Sequence, residues 1–490
     1  MSKNRYAFHR KIPITSNRET VLTRMAKLAA LLCLCLGVQA AALAQESSGK
    51  VHEFKLDNGL RLLVKADHRA PVVVSQVWYK VGSSYEHDGM TGISHALEHM
   101  MFKGTKKYGE GEFSRIISEN GGRENAFTAD DYTAYFEVLE SSRLPISFKL
   151  EADRMRNLSL KKDAFQKEIE VVKEERRMRV DDNPGAYTYM TAMATAFETS
   201  PYRHPTIGWM ADLQHMQVQD LRQWYKRWYA PNNATVVVVG DVQPQKVLAL
   251  AKKYFGPLKP ENVNPPPPRP EVAQSGMKHV VVERPAKVPK IIMGWKVPVL
   301  TTARHSNGDV PEWEPYALDV LAGILSGGDS ARFSSRLIRG KEVASSLNAG
   351  YNLYDRLQSL FVVSGEPARG KTVAELEKAV RSQIDDLKQK PVTKDELDRV
   401  KAQVVSDHVY QRDSDFYQAM ILGTLTSVGL SWRDADAYVD RVKAVTAAQV
   451  QQVAKKYFID RHLTVAELKP LPMGNGPAPQ PSMGGMGPVH

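Results

Sequence analysis

The second half of this 490-residue chain repeats the first, and that duplication constrains the fold more than any other feature. Val218-Gln219-Asp220-Leu221-Arg222-Gln223 leads to Lys226, Tyr229 and an apolar run at 235–239. Ala447-Ala448-Gln449-Val450-Gln451-Gln452 leads to Lys455, Phe458 and a run at 463–466. One offset aligns Leu221 with Val450, Tyr229 with Phe458 and Thr235 with Thr464. Earlier in each half, a strand pattern (135–138, then 360–363) precedes an amphipathic helix (around 145–155, then 373–387). Short alternating runs mixed with long helical periodicity predict an α+β fold, not a parallel barrel. The expectation is two duplicated α/β sandwich domains, each a mixed or antiparallel sheet packed by helices. The stretch from Asn264 to Pro270, with four consecutive prolines, reads as a semi-rigid linker. The predicted partition is 45–262, linker 263–276, 277–468 and an unstructured Gly/Pro/Met-rich tail 469–490. Such halves would close as a clamshell.

The N-terminus has the form of a secretory signal over 1–44. Arg18, Arg24 and Lys27 precede an apolar run at 28–41, and Ala42-Leu43-Ala44 offers a small-residue cleavage site. The run is short for a membrane span, and the long lead before Arg24 leaves Met25 as an alternative start. Export to the periplasm is therefore expected, with membrane association if the signal is retained. Both cysteines, Cys33 and Cys35, fall inside this segment. A mature chain without cysteine has no disulfide and no thiolate ligand, so a metal would have to be held by His and carboxylate. Residues 1–44 also carry seven Lys/Arg and one acidic residue, so the formal +11 falls to about +5 beyond them. That balance, with no basic stripe, argues against nucleic acid.

His95-Ala96-Leu97-Glu98-His99 sets two imidazoles one helical turn apart with a carboxylate between them. Residues at i and i+4 share a helix face, so both rings can reach one ion. Glu98 projects near the same point, where a general base must stand to deprotonate an attacking water. Thr91-Gly92 is a plausible helix start, and Gly104 can close the helix. The pentad has the H-x-x-E-H order of one class of zinc peptidases, whose zinc takes three protein ligands and leaves one position open. The predicted helix 163–180 carries Glu168, Glu170, Glu174 and Glu175; Glu168 and Glu175 share a face.

These residues resemble the pitrilysin/insulinase-type zinc metallopeptidases over about 50–467. The resemblance implies one Zn2+ per chain, with Glu175 as third ligand and Glu168 in a supporting acidic role; Glu174 is a competitor one residue away. It also implies that Gly121-Gly122-Arg123-Glu124-Asn125-Ala126-Phe127-Thr128 is an edge strand beside the metal. An extended peptide would add to it by backbone pairing near Asn125 and Ala126. Family members that act alone carry an Arg and a Tyr seven residues apart in the second half. Here Arg339 matches the Arg as a substrate-binding residue, but the Tyr position holds Ser346. That departure implies a catalytic subunit paired with a zinc-less homologue; self-association is the alternative. The corresponding helix of the second half, near 318–325, carries no histidine. A non-catalytic structural subunit of the same fold is a competing reading. So is a P-loop NTPase, since Gly365–Thr372 satisfies G-x-x-x-x-G-K-[ST]. The latter is disfavoured because the first half makes the same strand–loop–helix without the motif.

Overall fold

The computed structural model describes residues 49–267 and 269–473. The expected signal and its cysteines, and all of the expected tail beyond residue 473, lie outside the described residues. Eleven strands form two mixed sheets among the described residues. The first, in the order β1-β2-β6-β3-β5-β4, contains β1 (Val51–Lys55), β2 (Arg61–Ala66), β3 (Val72–Tyr79), β4 (Arg123–Thr128), β5 (Thr133–Glu140) and β6 (Ala234–Gly240). The second, in the order β7-β11-β8-β10-β9, contains β7 (Lys278–Pro285), β8 (Lys290–Val297), β9 (Ala344–Gly350), β10 (Ser359–Pro367) and β11 (Leu463–Leu471).

Remove β1 and the two sheets have one topology. Each has a single parallel pair, β2 with β6 and β7 with β11, followed by three antiparallel pairs out to an edge strand. Even the register repeats: Thr235 lies opposite Trp78, and its counterpart Thr464 lies opposite Gly294. This is the α+β duplication that the offset predicts. One boundary needs correction. β11 continues to Leu471, pairing Lys469 with Glu283 and Leu471 with Pro285, so the first residues of the expected tail belong to the sheet.

Both central strands read as nearly continuous apolar runs because both sheet faces are covered. The first sheet packs its own helices on one face, where Leu62, Val64, Val236 and Val238 share one core with residues of the Ile93–Met100, Val218–Trp228 and Pro244–Tyr254 helices. The other face, bearing Val74, Trp78, Val237 and Val239, is covered by Ala419 and Leu422 of the Asp415–Ser427 helix from the second half. Gly423 makes that approach possible, since a Cβ there would stand 2.0 Å from the Trp78 ring. The exchange is reciprocal. The Pro184–Ala196 helix of the first half lies on the second sheet, setting Ala192 against Ile292 and Ala466. The halves are therefore joined by two exchanged helices as well as by the linker.

Polar ties reinforce this union. Arg356, in the loop between β9 and β10, donates from Nε to Asp131 Oδ1 at 3.0 Å and from Nη2 to Ser84 at 2.8 Å. The linker residue Glu271 accepts from Lys296 of β8 at 2.7 Å and from the backbone N–H groups of Glu198, Thr199 and Ser200. No described helix is long and apolar enough to cross a membrane.

Candidate metal centre

Helix Ile93–Met100 begins at Gly92, whose φ of 83° is left-handed and favours glycine. Its Cα packs against Gly208, and a Cβ on Gly92 would meet the Ile207 carbonyl at 2.6 Å. The exposed N–H groups of the first turn are held by a distant carboxylate. Glu86 accepts from Gly92 N at 2.7 Å and from Ser94 N at 2.8 Å, and burial pushes its carboxyl up to about 8 against those two bonds. The second helix, Lys162–Arg176, ends where Arg176, itself buried, donates to the Gly208 carbonyl. Gly208 thus touches the start of one helix and the end of the other, fixing their approach.

That approach brings His95, His99 and Glu175 together. One ligand-capable atom from each lies within 4.8 Å of the others, and all three residues are buried. His99 Nε2 is 3.2 Å and His95 Nε2 is 3.7 Å from Glu175 Oε2. Ligands of a tetrahedral zinc with bonds of about 2.0–2.1 Å stand about 3.3 Å apart, so the spacing suits that ion. His99 Nδ1 bonds Glu168 Oε1 at 2.9 Å, leaving Nε2 to face Glu175; carboxylate partners of this kind orient metal-ligating histidines. Lys103 Nζ, 2.8 Å from the other Glu168 oxygen, holds that carboxylate in turn. The competitor Glu174 is on the surface, paired with Arg177 at 2.7 Å.

The electrostatics favour a cation. Burial opposes the charge on Glu175, but the hydrogen bond to His99 and the charges of His95, His99 and Arg179 hold its pKa down at about 2. Burial also works against a charged His99, yet Glu168 and Glu175 lift it to about 9. Glu98 differs: burial dominates and pushes it up to about 7, against the Thr128 hydroxyl and His99. A carboxyl poised near neutrality suits proton transfer. Thr128 donates to Glu98 Oε2 at 2.5 Å and ends β4, so the edge strand and the candidate base are directly linked.

Among the described residues β4 pairs only with β5, at the edge of the sheet. Ala126 is buried, and the Asn125 side-chain oxygen accepts from the Ala126 N–H at 2.8 Å. Arg339 lies elsewhere. It is exposed just after the Phe333–Ile338 π-helical turn and donates to the Asp329 carbonyl. Ser346 is not on a helix with it but on β9, opposite Glu366. In the P-loop-like stretch, Thr372 caps the Val373–Gln389 helix in a reciprocal box with Glu375, and Lys371 Nζ is 3.5 Å from the same Glu375. Those groups serve the helix start. Glu86 and Thr128 were missed by sequence reasoning; the eight residues between Glu86 and His95 gave no periodic signal, whereas Thr128 lay within a motif already noted.

Two family models match the chain: Insulinase (Peptidase family M16) over residues 61–208 and Peptidase M16 inactive domain over 215–404. A relative named zinc protease PqqE, from Helicobacter pylori, is 33% identical over 91% of this chain and 98% of its own length. A crystal structure of a protease from Helicobacter pylori superposes with a TM-score of 0.81 at 31% identity, covering 86% of this chain and all of that one. The first half of the periplasmic protease PqqL from Escherichia coli shares the fold at a TM-score of 0.70 and 20% identity, over 86% of this chain and 92% of that one. The chain belongs to the M16 peptidase family.

Proposed function

We propose that this chain is an exported, zinc-dependent endopeptidase acting on peptides or unfolded segments, the catalytic member of a pair with a zinc-less homologue. The observation that carries the reading is the buried convergence of His95, His99 and Glu175, with Glu98 beside it. The zinc-protease name of the Helicobacter pylori relative supports zinc as the ion. The periplasmic title of the Escherichia coli neighbour agrees with the signal-like N-terminus.

His95 and His99 would offer Nε2, and Glu175 a carboxylate oxygen. When bound, zinc supplies Lewis-acid polarisation of a scissile carbonyl and activation of water. Glu168 orients the His99 ring. Glu98 takes a proton from the attacking water and delivers it to the leaving amine, and Thr128 keeps its carboxylate aimed. The outer edge of β4 holds an extended substrate by main-chain hydrogen bonds, with the Ala126 N–H exchanging its Asn125 partner for a substrate carbonyl. Backbone pairing of this kind accepts many sequences and requires an unfolded segment. Arg339 is assigned to substrate binding on the family pattern. The Ser at 346 leaves its usual companion to another chain, which motivates the pairing.

Glu98→Gln tests the reading. The variant is expected to bind one zinc as the parent does while cleaving an unfolded peptide about a thousandfold more slowly. Substantial residual turnover would remove Glu98 from its role. Removing zinc with a chelator should abolish cleavage, and added zinc should restore it. Cleavage by the chain alone, compared with the chain plus a zinc-less homologue, checks the pairing; full activity alone refutes it.

A further inference from the structure

Within the second half, away from the residues of the metal centre, lies a cavity of about 300 Å³. Its walls come from the helices Trp313–Ser326, Lys394–Gln411, Asp415–Ser427 and Asp434–Ala444 and from the loop after β9. Asp319, Tyr351, Tyr354, His408, Tyr417 and Tyr438 line it. Four tyrosines around two carboxylates, the half-buried Asp319 and the exposed Asp407, are an unusual wall for a space that no part of the proposed peptidase chemistry uses.

Of the two carboxylates Asp407 is exposed and accepts from Gln403 at 3.1 Å, whereas Asp319 is half-buried and has no basic partner among the described residues. Its Oδ2 accepts from the Tyr438 hydroxyl at 2.7 Å, and no described Lys or Arg forms an ion pair with it. The neighbouring guanidinium groups are committed elsewhere. Arg304 is bound to both oxygens of Asp434 at 2.7 Å, and Arg412 to Asp436 at 2.9 Å. His408 supplies no charge, because burial and then Arg412 lower its pKa. The Tyr351 hydroxyl is turned to the Pro298 carbonyl at 2.7 Å. Tyr354 and His408 stand with ring centroids 6.4 and 5.7 Å from that of Tyr438.

A carboxylate held in such a space without a counter-ion is costly, and an apolar or anionic occupant would leave it so. A divalent metal would find too few oxygens, since calcium takes six to eight and magnesium demands octahedral geometry. An organic cation satisfies both parts of the wall, its charge meeting the carboxylate and its methylene or methyl groups meeting the aromatic faces. We propose that this cavity binds an organic ammonium ion, with Asp319 as counter-ion and the tyrosine rings as walls. The ammonium can belong to a lysine side chain of a peptide or to a free amine. Burial pushes the Asp319 carboxyl up to about 6, against the Tyr438 hydroxyl, which lowers it.

Calorimetric titration of the full chain with choline, n-butylamine and the neutral choline isostere 3,3-dimethylbutan-1-ol tests this. The cations should bind saturably, and the isostere about tenfold more weakly or worse. Asp319→Asn keeps the size and the bond to Tyr438, so it should fold, melt no lower than the parent, and lose about tenfold in cation affinity. Tyr354→Leu should weaken choline in the same direction. Acetyl-lysine methylamide separates the sources: binding comparable to butylamine points to peptide side chains, and binding of free amines alone points to a small-molecule amine. Absence of saturable binding, equal binding of the isostere in the parent, or unchanged affinity in Asp319→Asn would each overturn the proposal. None of these readouts depends on peptide cleavage, so they fail or succeed independently of the zinc reading.

Discussion

His99 shows how one side chain carries two jobs. Its Nδ1 is spent on Glu168, so the ring cannot rotate and Nε2 faces Glu175. Glu168 in turn is held by Lys103. In Glu168→Gln the neutral amide is a weaker acceptor and no longer stabilises charge on the ring. Zinc affinity, measured by competition with a chelator, should fall about 10- to 100-fold, with the fold retained. An unchanged affinity would assign Glu168 to catalysis alone. At this scale the ligands were legible because helix geometry turns the i, i+4 spacing of His95 and His99 into a shared face. Glu175 needed the family resemblance, since four carboxylates on one predicted helix offer no internal reason to choose among them. Tertiary packing separates Glu175 from Glu174 by burying one and leaving the other with Arg177.

Among the elements, caps and edges do most of the positioning. The stretch ending at Thr372 has the sequence form of a phosphate loop and the structure of a capping box, because both need a hydroxyl just before a helix. The reciprocal bonds with Glu375 favour the box. Thr372→Ala should therefore cost about 1 kcal/mol in chemical denaturation and leave peptide cleavage unchanged; a selective loss of nucleotide binding would revive the other reading. Strand β4 was legible as an edge from its motif. The start of helix Ile93–Met100 was legible only in part, since Gly92 is in the sequence pattern but its cap, Glu86, comes from the preceding loop and acts across space. Arg339 and Ser346, seven apart, fall on different elements: the chain leaves its helical turn at Ile338 and enters β9 at Ala344.

For the whole molecule, the union of the halves matters most. Each sheet is completed by a helix from the other half, so the two cores are coupled through Trp78 against Ala419 and Leu422 on one side and Ala192 against Ile292 on the other. The Glu271 latch adds a pH-dependent term. Burial opposes its charge, but Lys296 and three backbone N–H groups hold its pKa at about 2, below the ordinary 4.5. A depressed carboxyl stabilises the fold above the unfolded value, and that contribution fades as pH falls from about 4.5 toward 2. Glu271→Gln should lose about 2 kcal/mol at pH 7 and flatten the acid limb of the stability curve between pH 5 and 3. Denaturation midpoints at those pH values check this, and an acid limb as steep as the parent's would place the sensitivity elsewhere. By itself the sequence determined the duplicated α+β architecture and the pairing of His95 with His99, because both are periodic and local: a repeat fixes one topology twice, and helical spacing sets two histidines on one face. Only the tertiary structure decided which glutamate meets them, what caps their helix and which half covers each sheet. Those outcomes rest on long-range packing, where a helix apolar nearly all round such as Asp415–Ser427 records that it must be buried but not whose sheet will bury it.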